Sequence, residues 1–117
     1  MKTAIVVLAD IETLEGLGRI ANALTATQEF KEAGDDVRLI FDGAGVRWVG
    51  ELAKSDHKYH NEFEQVRDCI TGVCQYCAEA FQVKPQIEQA GLPFADDFKN
   101  HPSFRSLVSE GYEVITF

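Results

Sequence analysis

Thr3-Ala4-Ile5-Val6-Val7-Leu8-Ala9 stands near the start of the chain, and only Thr3 among these seven residues is polar. A strand with one face in water alternates apolar and polar residues, and this one does not. It reads as a β-branched strand buried on both faces, the situation found in a parallel sheet covered by helices. Acidic Asp10, Glu12 and Glu15 follow, and carboxylates suit the positive end of a helix. Leu17, Ile20, Ala21 and Leu24 then recur at helical spacing, Phe30 and Ala33 extend the segment, and Gly34 supplies a stop. Val37 to Phe41 is a second apolar strand, closed by Asp42-Gly43-Ala44-Gly45. Strand, helix, strand in this order means a βαβ unit with a right-handed crossover and helices packed on the sheet.

The same alternation continues. Val46, Val49 and Ala53 allow a short helix, and Asp56 is placed to cap another in which Tyr59, Phe63 and Val66 share one face. Cys69 to Val73 reads as a third strand, whose Gly72 weakens it or marks a close backbone approach. A short helical stretch runs from Cys74 through Ala80, and Pro85 to Ala90 forms another, ended by Gly91. Leu92 to Ala95 is a fourth strand that Pro93 confines to an edge or a strand start. Asn100-His101-Pro102 opens a last helix, with Phe104, Leu107 and Val108 as its inner face and Gly111 as its end. Tyr112 to Phe117 is the final strand. The expectation is a single α/β domain over residues 1–117 with a mainly parallel sheet of four to five strands.

A chain of 117 residues, 45% hydrophobic and 26% charged, can bury a real core, and nothing in it resembles a disordered composition. The net charge of -8, from 19 acidic against 11 basic residues, repels phosphate backbones and anionic lipids. No run of Lys or Arg offsets it, so nucleic-acid and membrane-surface binding are not expected. The early apolar run ends at Asp10, too short for a signal-peptide core, and no stretch approaches a membrane span. A soluble, cytoplasmic protein is expected. Three cysteines, an odd number, do not suggest a secreted disulfide framework. In a reducing compartment such thiols serve redox, transfer or metal chemistry.

In open parallel sheets, ligands bind beyond the carboxyl ends of the strands. Asp10, Asp42 and Cys74 end the first three strands at steps of 32 residues (42 − 10 and 74 − 42), so all three are expected on one sheet edge. Asp10 also suits a role at the first helix, and Asp42 suits a turn before Gly43. As functional groups they would orient a ligand or tune a thiol, whose pKa a close carboxylate raises.

Cys74-Gln75-Tyr76-Cys77 is the sharpest local feature. Cys74 falls where a strand ends and a helix begins, where free backbone N–H groups and the helix dipole favour a thiolate. Cys77, one helical turn on, could close a disulfide or accept a transferred sulfur. Cys69 reads as a small buried hydrophobe. Three chemistries fit the pair. One is sulfur transfer through a persulfide. The second is dithiol–disulfide exchange, although this pair follows the third strand and no Trp immediately precedes it. The third is a zinc site with His57 and His60, which supply two further ligands. Both histidines fall on the flank of the helix that carries Tyr59 and Phe63, so solvated histidines are the simpler reading, and no metal or cofactor is expected. Gly43-Ala44-Gly45 lacks the dinucleotide fingerprint. Arg47 and Arg105 could hold an anion, His101 could cap its helix, and Trp48 reads as a core or interface residue.

Several segments together resemble a known family. They are Ala4-Ile-Val-Val-Leu-Ala9, Phe30-Lys-Glu-Ala-Gly34, Val37-Arg-Leu-Ile-Phe-Asp-Gly43, Gly72-Val-Cys74 and Leu107-Val-Ser-Glu-Gly-Tyr-Glu-Val-Ile115. In order and spacing, over nearly the whole chain, they are similar to the DsrE/DsrF-like proteins, which include YchN-like and TusD-type sulfur-relay subunits. The resemblance implies a three-layer α/β/α fold with a parallel sheet of about five strands, assembled as an oligomer. It implies that Cys74, at the position of the relay cysteine after the third strand, carries sulfur as a persulfide between donor and acceptor proteins. Cys77 does not match the relay cysteine and would resolve or receive. The alternative that keeps the fold is a non-catalytic oligomeric protein with inert thiols, binding a small ligand near Asp10 and Asp42.

Overall fold

Residues Thr3 to Val7 are all buried, and the strand that holds them, β1 (Lys2–Val7), is paired on both sides. That is the burial its unbroken apolar run requires. The computed structural model describes residues 1–117. In chain order β1 is followed by α1 (Leu14–Glu32), β2 (Asp36–Phe41), α2 (Trp48–Leu52), α3 (His60–Gln65) and β3 (Ile70–Cys74). Then come α4 (Gln75–Ala80), α5 (Lys84–Ala90), β4 (Phe94–Ala95), α6 (Phe104–Ser109) and β5 (Glu113–Thr116). The five strands form one sheet in the order β4-β3-β2-β1-β5, and every pairing is parallel. Rows of apolar residues cross it: Ile5 pairs with Leu39 and Ile115, and Phe41 pairs with Val7 and Val73.

The fold is a three-layer α/β/α sandwich. Its helices are divided five to one. Ile5, Val7, Leu39 and Phe41 pack against Ile20 and Leu24 of α1, Trp48 and Leu52 of α2, Phe63 of α3, Ala78 of α4 and Ile87 of α5. Ala4, Val6 and Ile40 point the other way and meet Leu107 of α6 together with Tyr112. Handedness explains the division. Going from β1 to β4, each crossover steps in one direction, so right-handed connections keep their helices on one face. Only α6 returns past β1 to β5, in the opposite direction, and it lies on the other face.

Several local features depart from the sequence reading. Thr13, not an acid, caps α1, its Oγ1 accepting the Gly16 amide at 2.9 Å. Asp56 caps no helix, because α3 begins at His60 without a side-chain cap. Strand β3 begins at Ile70, and Cys69 lies in the 3₁₀ turn before it. Ile70 and Val73 both face the five-helix layer although they are three residues apart. Leu39 pairs with Ile70 and Ile40 with Gly72, so Thr71 is an extra residue, a β-bulge that resets the alternation. Gly72 is a close approach, since a Cβ there would lie 2.7 Å from Ala95 Cβ. Pro93 precedes a two-residue strand at the sheet edge, as expected. The last helix starts at Phe104 under a Ser103 cap, not at Asn100, and of its three apolar residues only Leu107 is buried. No helix is long and apolar enough to cross a membrane.

Candidate functional site

Three chain segments meet beyond the carboxyl ends of β2 and β3. The first carries Asp42. Its amide donates to the Val7 carbonyl at 2.9 Å, and its Oδ1 accepts the Gly43 amide at 2.8 Å, capping the 3₁₀ turn Gly43–Arg47. The second carries Cys74 and Cys77. Cys74 ends β3, and as α4 begins the Cys77 amide donates to Cys74 Sγ at 3.4 Å. The third is a tight turn, Phe98–His101, closed by reciprocal backbone bonds of 3.0 and 2.9 Å. Its central residues, Lys99 and Asn100, both have positive φ, +50° and +66°, as a type I′ turn demands. Asn100 tolerates that region; Lys99 holds it at a cost of order 1 kcal/mol.

The turn delivers His101 to the thiols. The Asn100 carbonyl accepts the Tyr76 amide at 2.8 Å, and the Tyr76 ring stacks on His101 with centroids 4.7 Å apart. Cys74 Sγ and His101 Nδ1 share a hydrogen bond of 3.3 Å, and Cys77 Sγ donates to Asp42 Oδ1 at 3.6 Å. The donor atoms of Asp42, Cys74, Cys77 and His101 all lie within 4.8 Å of one another.

Burial dominates the electrostatics. Cys74 is fully buried and Asp42 nearly so, whereas Cys77 and His101 are half-buried. Burial pushes the Cys74 thiol far above its ordinary range, and the Asp42 carboxylate pushes the same way. Cys77 rises for the same reasons, first burial and then Asp42. The expectation of a thiolate at the helix start is thereby corrected: desolvation and a carboxylate outweigh the N–H groups of a six-residue helix. Cys69 is also raised, mainly by burial. The unfolded chain releases these protons near pH 8.5 while the folded chain keeps them, so stability falls as pH rises. Urea denaturation between pH 8 and 10 should show a loss approaching about 1.4 kcal/mol per pH unit from Cys74, with Cys77 and Cys69 adding in the same direction. The slope should flatten in Cys74→Ser.

Of the residues singled out from sequence, Asp42, Cys74 and Cys77 come together and Asp10 does not. Asp10 Oδ1 accepts the Ile11 amide at 2.7 Å and an Arg47 N–H at 2.8 Å, and Arg47 also reaches Glu12 at 3.1 Å. Arg47 is therefore engaged by carboxylates rather than held ready for an anion. The set His57, His60, Cys74 and Cys77 is not assembled. His57 Nδ1 accepts the Tyr59 amide and its ring lies edge-on to Trp48, while His60 Nδ1 donates to the Leu52 carbonyl. The histidine at the thiols is His101, which caps no helix. Trp48 is a core residue, as expected, its indole N–H donating to the Ala9 carbonyl at 2.8 Å.

No family model matches the chain. It is 34% identical over 94 residues to the uncharacterized protein MJ0733 of Methanocaldococcus jannaschii, an alignment spanning 80% of this chain and 76% of that one. The chain belongs to the MJ0733 family. A solved structure, the conserved protein of unknown function BT1422 from Bacteroides thetaiotaomicron, shares the fold. The match has a TM-score of 0.64 and covers 97% of this chain and 94% of that one at 18% identity. The three-layer sandwich of this MJ0733-family chain thus recurs in a chain only 18% identical to it.

Proposed function

We propose that the chain is a DsrE-like cytoplasmic sulfur carrier, working as an oligomer with donor and acceptor proteins, in which Cys74 and Cys77 pass one sulfane sulfur as a persulfide. The observation that carries this reading is the Cys74–His101 contact of 3.3 Å with a second thiol one helical turn away. A thiol within reach of an imidazole is the arrangement that activates a cysteine nucleophile.

The burial of the two thiols orders the steps. Cys77 is the one a donor reaches. Cys77 releases its proton to solvent and its thiolate attacks the outer sulfur of a donor persulfide, R–S–SH; the donor S–S bond breaks, RS⁻ leaves and takes a proton back from solvent, and Cys77–S–SH forms. Cys74 then gives its proton to His101 Nδ1, and the Cys74 thiolate attacks that outer sulfur. Cys77 leaves as a thiolate, and the sulfur rests on buried Cys74. An acceptor thiolate reverses the sequence, and no net oxidation occurs. This assigns first contact to Cys77 rather than to Cys74.

Intact mass after incubation with a low-molecular-weight persulfide tests the reading. Wild type should gain one sulfur atom, and Cys77→Ala should gain none. Cys74→Ala should load sulfur but lose it to reductant faster than wild type. His101→Ala should slow the passage to Cys74 by about a hundredfold, the usual effect of losing a proton acceptor. No adduct on wild type, or equal retention in Cys74→Ala, would sink the proposal. A second reading, a non-catalytic ligand-binding protein, finds support in a cleft of about 400 Å³ at the carboxyl ends of β1 and β5, lined by Asp10, Thr13, Arg19 and Phe117. That reading predicts no sulfur uptake by any form.

A further inference from the structure

We infer that Asp42, Cys74, Cys77 and His101 form a tetrahedral site for a zinc ion. The site stands independently of the sulfur-carrier reading, although both use the same two thiols. Zinc bonds of about 2.3 Å to sulfur and about 2.0–2.1 Å to nitrogen or oxygen place tetrahedral donors roughly 3.3–3.8 Å apart. The Cys74–His101 and Cys77–Asp42 separations, 3.3 and 3.6 Å, already fall in that range. The remaining separations do not exceed 4.8 Å, so an inward shift of about one ångström completes the tetrahedron.

The donor chemistry selects the ion. Two sulfurs exclude calcium and magnesium, which take oxygen ligands, while two thiolates, one imidazole and one carboxylate in tetrahedral array suit zinc. The supporting contacts are those a metal site needs. The Cys77 amide donates to Cys74 Sγ, the Gly43 amide donates to Asp42 Oδ1, and Tyr76 and the Phe98–His101 turn fix the imidazole. Two thiolates and a carboxylate would carry three negative charges, and Zn²⁺ leaves one. All four positions come from protein, so the ion would be structural or regulatory, with no open position for substrate. It would tie together the ends of β2 and β3 and the Phe98–His101 turn. Because zinc and sulfane sulfur need the same thiolates, the bound ion would keep both thiols from oxidation and from sulfur loading.

Cobalt(II) titration of the reduced, chelator-treated full chain tests the site. The expected result is one equivalent bound per chain, with the visible absorption of tetrahedral cobalt and a sulfur-to-cobalt charge-transfer band, both bleached by one equivalent of zinc. Asp42→Asn, which keeps the oxygen that caps the turn, and His101→Ala should each weaken binding at least tenfold while circular dichroism stays native. A His57→Ala/His60→Ala double variant should bind as wild type does. Absence of the tetrahedral spectrum from wild type overturns the proposal, as does wild-type affinity in both Asp42→Asn and His101→Ala, or lost binding in the double-histidine variant. The titration does not depend on sulfur uptake, so a failed persulfide assay beside a positive cobalt spectrum removes only the carrier reading.

Discussion

Gly45→Ala should destabilise the protein by roughly 3–5 kcal/mol and lower its melting temperature by about 10–20 °C. An alanine Cβ at this position would lie 2.1 Å from the Val7 carbonyl oxygen and 2.7 Å from its carbon. Both are backbone atoms of buried Val7, the last residue of β1, and neither can rotate aside. That carbonyl also accepts the Asp42 amide, so pushing the turn outward breaks the bond that seats Asp42. The substitution should therefore lower stability and loosen the Asp42–Cys77 contact together. Gly18→Ala is the control of opposite sign. Gly18 lies in the second turn of α1, on its exposed face, with nothing within 4 Å of its added Cβ, and alanine should stabilise the helix by about 0.5–1 kcal/mol. Urea denaturation of both variants, followed by tryptophan fluorescence, measures the pair. A Gly45→Ala as stable as wild type would show that the turn does not press on β1.

Trp48→Ala should cost about 3–5 kcal/mol, the usual effect of emptying a core aromatic site. Trp48 is one of the largest fully buried side chains and joins α2 to the five-helix core. Its indole also donates to the Ala9 carbonyl, just past the end of β1. Trp48→Phe separates the two roles. It keeps most of the packing but leaves that carbonyl without its donor, and should cost about 1–3 kcal/mol. Because Trp48 is the single tryptophan, both variants need far-ultraviolet circular dichroism as the readout. Equal losses in the two variants would place the whole effect on the hydrogen bond.

The central strands were legible because their burial leaves a mark that nothing else explains. Ala4 to Val7 and Leu39 to Phe41 have no polar partner face, and their only consistent setting is a covered parallel sheet. Cys74 at a strand end followed from the same logic. The parity of β3 was not legible, because the bulge at Thr71 comes from the register against β2 and leaves no periodic trace. The last helix was read too early because Asn100-His101-Pro102 looks like a helix start, whereas Lys99 and Asn100 turn left-handed and withdraw His101 from it. His101 is the part of the site that sequence reasoning missed. It lies 24 residues beyond Cys77 (101 − 77) and arrives by a turn whose conformation no local residue pattern declares. Phe104 and Val108 look like core residues at helical spacing, but α6 has no neighbouring helix on its face to cover them.

The strand order has a consequence during synthesis. Of the five strands of this sheet, β1 is made before the others and β5 after them, yet they are neighbours, with Thr3 beside Glu113. While the intervening chain emerges, β1 can pair with β2 on one side only. Its other edge, flanked by Ala4 and Val6, stays open until β5 leaves the ribosome. An unpaired apolar edge is a template for another strand, so the nascent chain is most exposed to aggregation in that interval. Premature termination before Glu113 would make that exposure permanent, a larger effect than the four residues of β5 suggest.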